Sequence, residues 1–330
     1  MKIIDTHAHY DDEAFDADRN LLLGEKLAAE NVECVVNVGA SLEGAEASAR
    51  FALTYPDRRL DKDCCPAGAG DSSAGSSCVS DSSAGSAGTS DSSAASAGAS
   101  DSSAGSSCVT VYAGIGIHPD DVGIFEGKAS SSGILFSHPD DAMQHLRGLC
   151  SGKGVVCVGE IGLDYHWMVE EKEIQKKWFR EQLRLAHELQ LPVNVHSRDA
   201  SQDTFDLIRE NYASGHFTGG IIHCFSGSVE LAREYVKMGY QIGIGGVVTF
   251  KNGKTLKKVA AEIPLEFLVT ETDCPYLAPE PYRGKRNDSR YIRYVIEAIA
   301  QLKEMDPEDC AQALWKNACN VYQIKGGKQE

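Results

Sequence analysis

The sequence predicts an α/β chain folded as a TIM (β/α)₈ barrel, and three observations carry that prediction. Eight short apolar, strand-like runs alternate with amphipathic helical stretches. A low-complexity segment from about 57 to 109 takes 53 of the 330 residues and leaves 277, close to the length of about 250 usual for such a barrel. The place after the first strand, where a doubly wound sheet would carry a Gly-rich phosphate turn, instead reads Asp5-Thr6-His7-Ala8-His9.

The predicted strands are Ile3 to His7, Glu33 to Val38, Val111 to His118, Val155 to Ile161, Pro192 to His196, Gly220 to Cys224, Tyr240 to Ile244 and Glu266 to Glu271. Between Glu170 and Gln190, the residues Ile174, Trp178, Leu185 and Leu189 recur at helical spacing and give one connection an apolar stripe. Phe205, Ile208 and Tyr212 do the same in the next. Near the end, Asp306-Pro307-Glu308-Asp309 has an N-cap followed by proline at the first helical position, opening a helix with Ala313, Leu314 and Val321.

One segment departs from this alternation. From Asp71 to Thr110 a ten-residue unit beginning Asp-Ser-Ser-Ala occurs four times. Its small polar residues cannot bury enough apolar area to offset ordering entropy, which predicts a disordered loop at 57–109 inserted into a single 1–330 barrel domain, before the third strand. That position is on the face opposite a catalytic mouth.

Composition bounds the function. With 42% apolar residues the chain can bury a sizeable core. No run approaches the ~20 apolar residues of a membrane span, and Met1-Lys2 leads straight into strand-like sequence, so the expectation is a cytoplasmic protein with no membrane and no stable protein partner. Eleven cysteines, an odd number without framework spacing, read as reduced thiols. A net charge of −16 excludes a protein that binds nucleic acid by bulk positive charge. It leaves room for a nucleic-acid enzyme whose positive charge is local: bound divalent ions, Lys251, Lys254, Lys257 and Lys258, or Arg283, Lys285, Arg286, Arg290 and Arg293.

Barrel chemistry gathers at the C-terminal ends of the strands, and candidate metal ligands recur there. His7 and His9 close the first strand, where alternation places both side chains on one side. Glu160 ends the fourth strand, His196 the fifth and His223 the sixth, and Asp273 follows the eighth. Singly, a histidine after a strand is most often a packing residue; six such groups converging on one mouth are a metal site. Nitrogen and oxygen donors without thiolate suit Zn, Mg, Mn, Fe or Co. Six ligands exceed what one catalytic ion takes, so two divalent ions fit better, with Glu160 as the bridge. Cys224 follows His223 and is predicted to face away from it.

These residues sit in motifs that resemble the TatD family of metal-dependent deoxyribonucleases, within the amidohydrolase superfamily: Asp5-Thr6-His7-Ala8-His9, Gly116-Ile117-His118-Pro119, Gly159-Glu160-Ile161-Gly162-Leu163-Asp164-Tyr165, His196-Ser197-Arg198, His223-Cys224-Phe225-Ser226-Gly227, Glu271-Thr272-Asp273-Cys274-Pro275-Tyr276-Leu277 and Arg283-Gly284-Lys285-Arg286-Asn287. The resemblance covers the folded part of the chain in order. It implies hydrolysis of DNA phosphodiester bonds, often as an exonuclease. It also implies that His7, His9, Glu160 and Asp273 hold one ion and Glu160, His196 and His223 the second, with Asp273 and Glu160 catalytic. His118, Arg198 and Arg283 are the expected phosphate contacts. The chain departs from the family pattern in the insert and at Asn287-Asp288-Ser289, where the family usually continues Asn-Glu-Pro. Two alternatives remain: a hydrolase of small amides, esters or lactones from the same superfamily, and a non-catalytic scaffold using the Ser-rich repeat.

Overall fold

The computed structural model describes residues 1–57 and 108–324, so 58–107 of the predicted disordered loop falls outside the described residues, while its two ends are packed into the fold, with Asp57 and Val109 buried. Eight parallel strands pair in chain order: β1 (Ile3–Ala8), β2 (Val32–Val38), β3 (Thr110–Gly114), β4 (Val155–Asp164), β5 (Val193–Arg198), β6 (Gly220–Ile222), β7 (Tyr240–Ile244) and β8 (Leu268–Thr270). The ring closes just beyond the strand ends. There the Asp273 N–H donates to the His7 carbonyl (3.0 Å) and the His9 N–H to the Cys274 carbonyl (2.9 Å). The predicted TIM barrel is therefore observed.

The longer connecting helices are α1 (Leu42–Thr54), α2 (Pro139–Cys150), α3 (Lys172–Leu189), α4 (Ser201–Ala213), α5 (Val229–Lys237), α6 (Lys254–Glu262), α7 (Ile292–Leu302) and α8 (Pro307–Val321). In α3, Trp178, Phe179, Leu183 and Leu185 are buried in the core shared with Val158 and Ile161. Truncating Leu183 to Ala should cost about 2–5 kcal/mol, the usual range for a buried leucine. Helix α8 starts as expected, with the Asp306 carboxylate accepting from the Glu308 and Asp309 N–H groups. Its Trp315, Ala318 and Cys319, with Tyr322 just beyond, join Ile4, Val36, Tyr112, Ile221 and Val269 in a second apolar cluster. Among the described residues no helix is long and apolar enough to cross a membrane.

Four details differ from the sequence reading, and each has a local cause. β3 stops at Gly114, so His118 does not end a strand but lies in the loop beyond, where its N–H donates to the Ala40 carbonyl. β4 runs on to Asp164, placing Glu160 inside the strand. β6 and β8 are three residues each, which leaves His223 and Asp273 in the following loops. In α4 the buried stripe is Thr204, Leu207 and Ile208, the i, i+3, i+4 set, while Tyr212 is exposed. At the insert's flanks, the Val109 N–H donates to the Leu23 carbonyl and Asp57 accepts from the Tyr112 hydroxyl. Both lie toward the N-terminal end of β3.

Candidate metal centre

At the seam between β1 and β8 two imidazoles are aimed at one point. His7 Nδ1 lies 3.1 Å from Asn194 Oδ1, and the Asn194 amide group donates to the Tyr322 hydroxyl (3.1 Å), which fixes the oxygen toward His7. His9 Nδ1 lies 2.8 Å from the Val38 carbonyl. Both acceptors are oxygens, so both Nδ1 atoms carry a proton and leave the two Nε2 atoms as the positions that can turn to a metal ion. Those two Nε2 atoms are 3.0 Å apart. Glu160 Oε2 lies 3.6 and 3.8 Å from them and Asp273 Oδ1 3.9 and 3.3 Å. Four donors on a tetrahedral cation with bonds of about 2.1 Å stand about 3.4 Å from each other. The set fits a metal ion.

Electrostatics agree. Burial works against charge on His9, but the Asp273 and Glu160 carboxylates overcome it and lift the ring to about 10. A proton on His9 thus neutralises the carboxylates as a cation would. His7, as deeply buried and stacked 3.5 Å from the His223 ring, is pushed down instead. Burial also opposes ionisation of Glu160, yet His7 and His196 hold it well below the usual carboxylate range.

The second Glu160 oxygen faces the other way. Oε1 lies 2.9 Å from His196 Nδ1 and 3.7 Å from His223 Nε2. His223 Nε2 is also 3.7 Å from Asp273 Oδ1, and its Nδ1 is 3.2 Å from Glu271 Oε2. Glu271 is held in turn by the Cys224 N–H, 2.6 Å from its Oε1. His196 Nε2 meets Asp164 Oδ2 at 3.1 Å, and burial of His196 is outweighed by Asp164 and Glu160, which lift it to about 9. Donor atoms fall within 4.8 Å of one another in four groups: His7, Glu160 and His223; His7, His9 and Asp273; His118, Asp164 and His196; and His223, Cys224 and Asp273. All six predicted ligands are therefore together, though His196 groups more closely with His118 and Asp164 than with His223.

Cys224 corrects the expectation that it faces away. It follows the end of β6 with φ +45°, so strand alternation no longer applies, and its sulfur joins the group of His223 and Asp273. Burial, then the Asp273 and Glu271 charges, push its thiol well above the ordinary range.

A cavity of ≈ 860 Å³ opens over these groups, lined by His118, Arg198, Trp167 and Tyr276 as well as His9, Glu160, His196, His223 and Asp273. His118 Nδ1 accepts from the Asp120 N–H (3.2 Å), so the neutral ring carries its proton on Nε2. Burial, reinforced by His196, pushes His118 down to about 3 and keeps it neutral. Arg198 is exposed, and among the described residues no carboxylate lies within ion-pair distance of it. Arg283 lies outside the lining, with its guanidinium 4.3 Å from the Phe250 ring centroid.

Several supporting residues carried no role in the sequence reading: Asp164, Asn194, Glu271 and Asp5. Asp5 is fully buried beneath the site and accepts from the His7 and Thr272 N–H groups and the Thr272 and Ser289 hydroxyls. Burial outweighs these bonds and raises it to about 6. Ser289 also accepts from the Tyr10 hydroxyl, and Asn287 donates to the Thr272 and Tyr276 carbonyls. The Asn287-Asp288-Ser289 departure thus ties the loop after β8 to β1.

Residues 80–323 match the family described as TatD related DNase. The chain belongs to this family. Among curated relatives of this TatD protein, a metal-dependent hydrolase of Bacillus subtilis, YabD, is 44% identical over 214 residues, 65% of this chain and 78% of that one. The Escherichia coli metal-dependent hydrolase YcfH is 37% identical over 63% of this chain and 79% of its own. Both carry the description uncharacterized. In fold, the TatD homologue YJJV of Escherichia coli superimposes with a TM-score of 0.70 at 24% identity, covering 98% of each chain. A TatD family hydrolase of Entamoeba histolytica gives 0.69 at 18% identity over 98% of each. The protein is a metal-dependent hydrolase of the TatD family with a TIM-barrel fold.

Proposed function

We propose that this TatD-family hydrolase cleaves phosphodiester bonds in DNA with two divalent metal ions, releasing nucleotides from an end. The observation that carries the proposal is the Glu160 carboxylate. Its Oε2 faces His7 and His9 and its Oε1 faces His196 and His223, the arrangement of a bridge between two cation sites. His7, His9, Glu160 and Asp273 would hold one ion, and Glu160, His196 and His223 the other. Bound there, the ions supply Lewis acidity and lower the pKa of water.

The remaining chemistry belongs to the side chains. Burial opposes charge on Asp273, but His223 and His9 keep it below its ordinary range, so it is ionised and available to orient an attacking water and take its proton. The proton on His118 Nε2 can be donated to a phosphate oxygen. Arg198, free of carboxylate partners among the described residues, offers the guanidinium fork that phosphate prefers. The lining is otherwise acidic, with Asp11, Asp12, Asp120 and Asp121 beside the ligands. A polyanion therefore enters on the strength of bound cations, Arg198 and His118.

The test is direct. Metal per chain is measured on purified protein, and nucleotide release from single- and double-stranded DNA is followed with added Mg²⁺ or Mn²⁺. Release by wild type and its loss in the Glu160→Ala/Asp273→Ala double variant support the reading. No release with either ion, release unaltered in the double variant, or turnover of only small esters and lactones would overturn it.

A further inference from the structure

Two large aromatic side chains stand exposed on the rim of the cavity: Trp167, 62% exposed, and Tyr276, 55% exposed. They follow β4 and β8. In a ring of eight strands paired in chain order these strands are diametrically opposite, so the two rings flank the metal ligands from either side. We propose that Trp167 and Tyr276 are stacking platforms for the nucleobases on either side of the scissile phosphate. This inference rests on the phosphodiesterase reading and names how that site would select its substrate.

Packing does not account for the position of Trp167. Its backbone is held from below: the His166 and Trp167 N–H groups both donate to Asp164 Oδ1, at 2.8 and 2.9 Å. The other oxygen of the same carboxylate meets His196 Nε2 at 3.1 Å. Asp164 therefore fastens the turn carrying the indole to a metal ligand, and the ring's place relative to the metal centre is set through one side chain. The Arg198 guanidinium lies 5.3 Å from the indole centroid, which puts a cation for phosphate next to a flat surface for a base. The indole N–H has no acceptor among the described residues.

Tyr276 is fixed by a different route. Its hydroxyl donates to Asp12 Oδ2 (2.8 Å), its N–H to the Asp273 carbonyl (2.9 Å), and its carbonyl accepts from Asn287 (2.7 Å). Its ring centroid is 6.5 Å from that of His9. Both rings are thus tied to residues of the metal centre, while more than half of each side chain stays exposed. Bases stack on such surfaces without regard to sequence, each at about 5- to 150-fold in affinity. Seven of the twenty residues lining the cavity are carboxylates, so the aromatic faces are what a polyanion finds attractive there besides the cations.

The experiment compares an oligodeoxynucleotide with the same oligomer carrying abasic residues at its last two positions, using full-length protein and Mn²⁺. Wild type should prefer the intact oligomer in kcat/KM by about 5- to 150-fold per stacked base. Trp167→Ala should lose that preference on one side of the scissile bond through a raised KM, and Trp167→Phe should retain most of it. Intact oligomer should also quench tryptophan fluorescence in wild type more than in Trp167→Phe. A wild type that cleaves both oligomers equally, or a Trp167→Ala protein that keeps the preference, overturns the inference and leaves the nuclease reading standing. So does a change in oligomeric state in Trp167→Ala with the preference intact, which would make the ring a protein contact. A wild type that cleaves neither oligomer overturns both.

Discussion

The two halves of the metal centre are built to different tolerances. On the β1/β8 side, His7 and His9 are each anchored through Nδ1 to an oxygen and present their free nitrogens 3.0 Å apart, with Glu160 and Asp273 within 3.9 Å. On the β5/β6 side, His196 is engaged at both nitrogens, by Glu160 and Asp164, and its ring centroid is 6.5 Å from that of His223. The first half is arranged around a point; the second is arranged around the Glu160 carboxylate. Under the two-ion proposal, the seam would be a tight, preorganised site, and a second site would form only if His196 and His223 drew together.

The largest effect should come from Glu160→Ala, which removes the shared ligand. Metal content should fall in both halves and hydrolysis to background, and retention of full metal content would break the comparison. Next, His9→Ala and His196→Ala should separate the two halves: the first should abolish the tighter of two binding phases in a Mn²⁺ titration, the second the weaker. Identical titrations for the two variants would show the halves to be equivalent.

Proton linkage gives a third test. His9 at about 10 and His196 at about 9 are charged in the metal-free protein at neutral pH. Each must lose its proton to bind metal, so binding releases protons and apparent affinity falls as pH is lowered. Calorimetry in buffers of different ionisation enthalpy measures this, and binding with no proton release would contradict the assignment of these nitrogens. Smaller still is Asp164→Asn, which leaves the ligands in place but loosens His196. It should cost about 10- to 100-fold in affinity for the weaker ion, with the tighter phase unaltered. The smallest effect is expected from deleting residues 71–107. The nearest described residues, Asp57 and Val109, sit toward the N-terminal end of β3, away from the ligands, so catalysis should stay within a few fold.

What could be read from the sequence follows from which interactions are local. His7 and His9 are legible because strand alternation alone puts two residues i and i+2 on one side. Glu160, His196, His223 and Asp273 are legible once eight strands are counted, because the barrel sends strand ends to one mouth. Their supports are not, since each depends on how neighbouring strands are aligned. Asp164 reaches His196 because Gly162 pairs with His196, which puts Asp164 two residues further along the same face. Glu271 reaches His223 across β7, where a Cβ on Gly243 would come within 2.6 Å of the Glu271 carboxylate. That glycine is a signal, but it has meaning only after the register is known. Cys224 and His118 were misplaced for the opposite reason: alternation was extended past strands that end early.

The most direct test of the central claim is a metal titration of chelator-stripped protein that follows bound Mn²⁺ and nucleotide release from DNA together. The account predicts two ions per chain, bound in two phases, with release appearing only as the second site fills. Full release with no metal bound, or saturation at a single ion with full release, would contradict it.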